Sequence, residues 1–230
     1  MRPDRRTFIR TLGAGGALGL AGCSSDSEDT PASNETDEST DSSQATATGE
    51  PAVTDADAPA GDGPTIITME AGGEDIWNTS DRGHFYYAEV SGDFDARVHV
   101  TSLENTNPHA KAGLMARASM DPQSRNVLVR KRAGFGISPQ WRPADGSGTT
   151  STPSEAGAPL SRVEGGVMEN AEWQRLERVG DTVRAYGSEN GEDWTLMVEL
   201  TTDQVDLGDT VLLGLAATSH DRAAATTAKF

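Results

Sequence analysis

The sequence predicts an all-β fold, a two-sheet antiparallel sandwich preceded by a segment that cannot build a core. Three observations predict it. From Thr65 onward the apolar residues fall in short runs that alternate with polar ones, the period of two expected of a strand with one buried face. Gly, Asn, Asp and Ser separate these runs at regular intervals, as turn residues do. No window carries the 3.6-residue apolar stripe of an amphipathic helix.

The chain opens on an export signal. Met1 to Arg10 is a positive segment with Arg5 and Arg6 paired, and Thr11 to Gly22 is Gly-rich and apolar. Twelve helical residues reach only about 18 Å, short of the ~30 Å hydrocarbon core, so this stretch is read as a signal-peptide segment and not as a membrane span. Leu20-Ala21-Gly22-Cys23 follows with the small-residue pattern of a lipobox. RRTFIR and then LAGC resemble a twin-arginine lipoprotein signal over residues 1–23, with Cys23 as the lipidated residue. Cys23 is also the chain's only cysteine, so no intramolecular disulfide exists. The expected address is the extracytoplasmic face of the cell membrane.

Residues 24–64 carry eleven acidic residues, no basic ones, no aromatics and one branched aliphatic, Val53. Such a segment cannot bury enough apolar area to offset its ordering entropy, and it is expected to act as a disordered, self-repelling tether. Asn34 and Asn78 each open a glycosylation sequon, a weak three-residue signal.

Residues 65–230 make the domain. Strands are expected at Ile66 to Glu70, His84 to Val90, Asp95 to Ser102, Ala110 to Ala118, Asn126 to Arg132 and Gly136 to Arg142. Further strands are expected at Glu172 to Arg178, Thr182 to Ser188, Thr195 to Leu200, Val211 to Thr218 and Thr227 to Phe230. The clearest organisation lies between Trp173 and Trp194, where WQRLERV and TVRAYGS are joined by Gly180-Asp181 and closed by Glu189-Asn190-Gly191, a β-meander signature. Trp173, Arg175, Glu177 and Val179 share one face there, and Trp77, Trp173 and Trp194 read as clasps of the sandwich. Asp145 to Val167, rich in Gly, Ser, Thr and Pro, reads as a long mobile loop.

Three stretches together resemble a known family. DIWNTSDRGHFYYAEVSGDFDARVHVTSLENTNPHAKAGLMAR, then WQRLERVGDTVRAYGSENGEDW, then VLLGLAATSHD look like the concanavalin A-like lectin/glucanase jelly-roll module known as DUF1349. The resemblance covers residues 75–230 and implies a jelly-roll sandwich. It departs at the last strand, which looks cut short at Lys229-Phe230, and in the 145–167 loop. For function it implies little beyond association with secreted carbohydrate-active or adhesive proteins.

Charge excludes one class of partner. The net charge of -17 argues against nucleic acid, whose affinity rests on Lys and Arg at the phosphates. Setting aside the signal (+3) and the linker (-11) leaves -9 for the domain, a carboxylate excess that suggests adaptation to high salt. A glycosidase needs two carboxyl groups, about 5–5.5 Å or about 6.5–9.5 Å apart according to mechanism. Most domain acids fall in turns, and Glu70, Glu89, Asp95 and Glu199 have no same-face acidic partner within their own strands. There is no nucleophile elbow, phosphate loop or HExxH helix, so no catalytic residue is assigned. The four histidines are scattered, although the loops carrying His109 and His220 could meet at one rim. No cofactor is expected; loop carboxylates and carbonyls admit a structural calcium, without EF-hand spacing.

The strongest local departure is a positive island. Between Lys111 and Arg142 lie seven basic residues and one acid, Asp121. Period-two counting sets Lys111 and Arg117 opposite Ala112, Leu114 and Ala116, pairs Arg130 with Arg132, and sets Gln140 and Arg142 opposite Ile137 and Trp141. On adjacent strands these would form an outward basic stripe, with Trp141 at the end as a stacking surface. The candidate ligand-binding set is therefore Lys111, Arg117, Arg130, Gln140, Trp141, Arg142, His109 and His220. Arginine forks suit the carboxylate or sulfate groups of acidic polysaccharides; the alternative is internal pairing with the acidic surface. The reading is a lipid-anchored binding module for a glycan or envelope component, with a polysaccharide or an envelope protein as partner. A surface-polysaccharide hydrolase and a purely structural envelope lipoprotein are the alternatives.

Overall fold

The computed structural model describes residues 65–151 and 167–230. The expected export signal with Arg5 and Arg6, the expected lipidation residue Cys23, the acidic segment 24–64 and residues 152–166 of the expected loop lie outside the described residues. The strands are β1 (Thr68–Gly73), β2 (Asp75–Trp77), β3 (Ser80–Arg82), β4 (His84–Ser91), β5 (Phe94–His99), β6 (Ser102–Leu103), β7 (Lys111–Arg117) and β8 (Asn126–Arg132). They continue as β9 (Gly136–Arg142), β10 (Thr150–Ser151), β11 (Trp173–Val179), β12 (Thr182–Ser188), β13 (Thr195–Thr201), β14 (Thr210–Thr218) and β15 (Asp221–Lys229). There is no helix among the described residues.

Two sheets form the sandwich. The large one runs β10-β9-β8-β7-β14-β4 and the small one β13-β12-β11-β5, with every pairing antiparallel. Alternation along each strand points one set of side chains into the space between them. From the large sheet these are Leu114, Val127, Val129, Ile137, Trp141, Leu213 and Leu215; from the small sheet, Val98, Leu176, Val183, Ala185, Val198 and Leu200. Leu176 is fully buried, and a leucine removed from water in this way contributes about 2 kcal/mol. A third sheet, β1-β15-β6, adds Met69, Ala71, Ala228 and Phe230 to the same core.

One polar residue bridges the two layers. Gln174 on β11 points inward, where its Oε1 accepts from the Leu114 amide at 3.0 Å and its Nε2 donates to the Ala112 carbonyl at 3.3 Å. The side chain thus serves backbone groups on either side of Gly113, and only glycine fits there. A Cβ at 113 would lie 1.9 Å from the Val129 carbonyl oxygen and 2.7 Å from Gln174 Oε1.

Two sequence expectations are corrected. The last strand is longer than the expected Thr227 to Phe230: β15 is nine residues long and pairs with β1 from Thr68↔Lys229 to Gly73↔Asp221. The stretch from Asp145 is not loop throughout, because Thr150 and Ser151 pair with Trp141 and Gln140. The β2–β3 hairpin was not expected at all, and it decides the fate of the basic island.

Candidate functional site

The strand phases bring the predicted basic residues together on the face of the large sheet that points away from the small one. Cross-strand register arranges this outer face in four rows. The first is Thr218–Lys111–Arg132–Gly136 and the second Ala216–Gly113–Arg130–Ser138. The third is Gly214–Met115–Leu128–Gln140 and the fourth Leu212–Arg117–Asn126–Arg142. Cations therefore sit at both ends, separated by the apolar pair Met115 and Leu128.

The expected outward stripe is nevertheless buried. Lys111, Arg117, Arg130, Gln140 and Arg142 are each at most 5% exposed. The cause is the β2–β3 hairpin, which lies across the face and packs Ile76 against Met115, Leu128 and Ala216. Trp141 is corrected too: it points the other way, into the core between the sheets, and offers no stacking surface.

Under one end of the hairpin the cations are saturated. Asp81 on β3 receives Arg142 through Nη2 at 2.5 Å and Nη1 at 3.0 Å, with Arg117 Nη1 at 3.6 Å and Asn126 Nδ2 at 3.2 Å. Arg142 also donates to the carbonyls of Trp77, Asn78, Pro122 and Ser124 and to the Thr149 hydroxyl. Arg117 donates to the carbonyls of Ser119 and Asp121. Burial pushes the Asp81 carboxyl up and the Arg117 guanidinium down, and the opposite charges only partly offset it. This end is a clamp that fixes the hairpin.

The other end is under-neutralised. Among the described residues, Lys111, Arg130 and Arg132 face a single carboxylate, Asp75, which lies 2.5 Å from Lys111 Nζ and 3.2 Å from His220 Nε2. Arg130 donates from Nη1 to the Ser138 carbonyl at 2.8 Å, and its Nε has no partner among the described residues. Nor do Arg132 Nε, Ser138 Oγ and Gln140 Oε1, while Gln140 Nε2 is committed to the Ile76 carbonyl. Half-buried Trp77 has Lys111 Nζ 5.5 Å and Arg130 Cζ 5.8 Å from its ring centroid. Burial lowers Lys111 to about 8 and Arg130 to about 9, so both remain charged at neutral pH.

The two loops do meet at one rim. The His109 and His220 rings lie 5.3 Å apart, and His109 also packs on Phe135 at 4.9 Å. Burial and then the positive charges of His220, Arg132 and Lys111 hold His109 below its ordinary value. His220 adopts φ 54°, a left-handed conformation that costs a non-glycine residue about 1–2 kcal/mol. Two clefts open on this end. One of about 350 Å³ is lined by Asp75, Trp77 and His220 among others; one of about 430 Å³ lies beside Arg132, Phe135 and Glu169. Among the described residues no group of three or more His, Cys, Asp or Glu side chains comes together as a metal cage.

Sequence reasoning missed Asp75 and Asp81 and read Trp77 as a clasp, with no place beside the basic residues, because their strands are three residues long. It also missed a cross-strand carboxylate pair on the open face of the small sheet, where Asp95 stands directly opposite Glu177. Arg175 joins them, donating to both Asp95 oxygens at 2.7 and 2.9 Å and to Glu177 at 2.6 Å. Those arginine bonds outweigh burial and hold Asp95 below the usual carboxylate range, whereas a glycosidase acid must be raised. Trp173 and Trp194 lie on this outer face. Trp173 stacks on His99 at 4.3 Å under Gly191, and Trp194 packs against Arg97 at 5.4 Å.

No protein-family profile matches the chain, and no curated protein matches it. Solved structures do. A functionally unknown protein from Saccharomyces cerevisiae matches 71% of this chain and 83% of its own at 19% identity, with a TM-score of 0.52. A mutant of the GH43 protein BlXynB from Bacillus licheniformis is 11% identical with a TM-score of 0.43, and Xyloglucan PUL GH43B from Bacteroides ovatus 14% identical with 0.41. Each of these two matches 73% of this chain, which spans only 32% of their length. The likeness to the yeast protein is one of fold.

Proposed function

We propose that the chain is a lipid-anchored, extracytoplasmic binding module of the DUF1349 kind that engages a glycan or another cell-envelope component at the Asp75 end of the large sheet. One observation carries the binding role: Lys111, Arg130 and Arg132 face one carboxylate beside a half-buried tryptophan, with clefts on both sides. The paired arginines, the lipobox at Cys23 and the acidic linker support the address, and the surplus of carboxylates supports work in concentrated salt.

Two measurements test this reading on the full-length protein. Growth with a labelled lipid precursor should mark the wild type and leave Cys23→Ser unlabelled; equal labelling would remove the anchor. Retention on a panel of neutral and acidic polysaccharides in molar salt tests the module, and no retention on any of them would refute the glycan reading.

A further inference from the structure

The β2–β3 hairpin has two faces, and we propose that the outward one binds a neutral sugar ring, stacked on Trp77 and held through its hydroxyl groups by Asp75, Asn78 and Ser80. This rests on the glycan-binding reading and deepens it. The hairpin pairs Asp75 with Arg82, Ile76 with Asp81 and Trp77 with Ser80. Directly opposite residues share a face, so Ile76 and Asp81 form the inward one, packed on Met115 and clamped to Arg142. Asp75, Trp77, Ser80 and Arg82 form the outward one. All four line the cleft of about 350 Å³, together with Asn78 and His220, and none of the six is buried. That volume falls within the roughly 300–1,000 Å³ range of small-molecule sites.

The polar groups of the cleft match a ring that carries no charge. Its carboxylates already have cations beside them, Glu74 with Arg82 at 2.8 Å and Arg222 at 2.6 Å, and Asp75 with Lys111 at 2.5 Å. An anionic ligand would therefore compete with Glu74 for Arg82. Groups suited to a hydroxyl are what remain. The side chains of Asn78 and Ser80 make no hydrogen bond among the described residues. Asp75 contributes an acceptor: its side chain is 21% exposed although Oδ1 is buried, which leaves Oδ2 as the oxygen open to the cleft, 3.2 Å from His220 Nε2. A carboxylate oxygen has a second lone pair to offer, and a sugar hydroxyl, donor and acceptor at once, serves all three side chains.

Trp77 supplies the apolar surface that the C–H face of a sugar ring requires. Lys111 Nζ and Arg130 Cζ, 5.5 and 5.8 Å from its centroid, belong to buried side chains, so the accessible part of the ring is the part that lines the cleft. The platform is held from beneath. Gln140 Nε2 donates to the Ile76 carbonyl at 2.7 Å, and Arg142 donates to those of Trp77 and Asn78, which fixes the outward side chains before a ligand arrives. The backbone gives a further sign. Asn78 at φ 50° and His220 at φ 54° are the only non-glycine residues at positive φ among the described residues, and both line this cleft. Glycine fits such positions without strain, so a side chain kept there points to a use. Stacking and hydroxyl contacts do not depend on long-range charge, so they persist in concentrated salt.

The test uses the full-length protein, with affinity measured in about 0.2 M and about 3 M NaCl. The probes are neutral galactan, mannan and glucan oligomers and oligogalacturonate of equal length. At least one neutral oligomer should bind about tenfold more tightly than oligogalacturonate, with an affinity that changes less than about threefold between the two salt concentrations. Trp77→Ala should weaken that oligomer about tenfold. Asn78→Gly removes one hydroxyl partner and relieves a positive φ. It should weaken binding about threefold and leave the thermal midpoint in place, a combination that a purely structural asparagine would not give, and it stands in if Trp77→Ala does not fold. Oligogalacturonate bound as tightly as the neutral oligomers, a steep loss of affinity with salt, or neutral binding unmoved in the folded variants would overturn the assignment and leave the glycan-binding reading standing. Binding of no oligomer at all would remove both.

Discussion

Replacing Arg142 with methionine separates a structural clamp from a ligand site. The side chain is fully buried, and its removal leaves the Asp81 side chain, 5% exposed, facing Arg117 at 3.6 Å as its one remaining ion-pair partner among the described residues. Breaking a buried pair by deleting one member costs about 3–5 kcal/mol, most of it the desolvation of the orphaned charge. The carbonyls of Trp77, Asn78, Pro122 and Ser124 lose a donor as well, so the upper part of that range is expected. Against a typical domain stability of roughly 5–15 kcal/mol this is a large fraction. With a urea slope of ~2 kcal/mol per molar, the unfolding midpoint should fall by about 2–2.5 M. The pH dependence has a sign. Burial already holds the Asp81 carboxyl above its ordinary value, and losing Arg142 raises it further. An acid raised by folding binds its proton better in the native state, so stability is greatest at low pH and is lost as pH rises through the folded pKa. Arg142→Met should therefore lose less at pH 5 than at pH 8. Adding Asp81→Asn should recover at least ~1 kcal/mol, because an uncharged pair carries no such penalty. A loss below ~1 kcal/mol for the single variant, or strict additivity in the double, would refute the clamp. Glu74→Gln, on the exposed Arg82 and Arg222 pairs, serves as the control that leaves the midpoint in place.

Two further outcomes follow from the same physics. Gln174→Leu leaves the Leu114 amide and the Ala112 carbonyl without their side-chain partner; at about 1–3 kcal/mol per buried unsatisfied group, the loss should be roughly 2–6 kcal/mol. Hydrogen exchange at Leu114 should accelerate, and an unchanged rate would show that the amide is held by other means. Lys111 is depressed to about 8 by burial, against an ordinary value of 10.5. The unfolded chain then holds more protons between those limits, so stability should rise with pH across that interval by roughly 3 kcal/mol. Denaturant titrations of wild type and Lys111→Met at pH 8 and pH 10 measure it, and equal pH slopes in the two proteins would sink the assignment.

Much of the fold was legible because it depends on local periodicity. The bounds of β8, β9 and β12 coincide with their alternating runs, and the phases of Lys111, Arg117, Arg130 and Arg142 are as the period of two requires. What covers a face is not a local property. The covering hairpin has strands of only three residues, Asp75–Trp77 and Ser80–Arg82, too short to show a period. A cue was nonetheless present. Met115 and Leu128 share the charged face with Arg117 and Arg130, and apolar residues on both faces of a strand mark burial on both sides. Asp75 and Asp81, flanking Ile76 and Trp77, are the complementary half of that pattern. Trp173 alternates as expected, and the face it shares with Arg175 and Glu177 is the outer one, a choice that alternation alone does not make.

The charge imbalance between the two ends is not explained by a shortage of acids. Residues 65–230 carry a net charge of -9, so carboxylates abound. One of them, Asp81, serves Arg142 and Arg117, whereas Arg130 and Arg132 have only a share in Asp75. In molar salt, fields beyond about 3 Å are screened, and an exposed basic patch would attract an anionic polymer only weakly. Donors sunk beneath a hairpin escape that screening, because they act by contact in a desolvated setting.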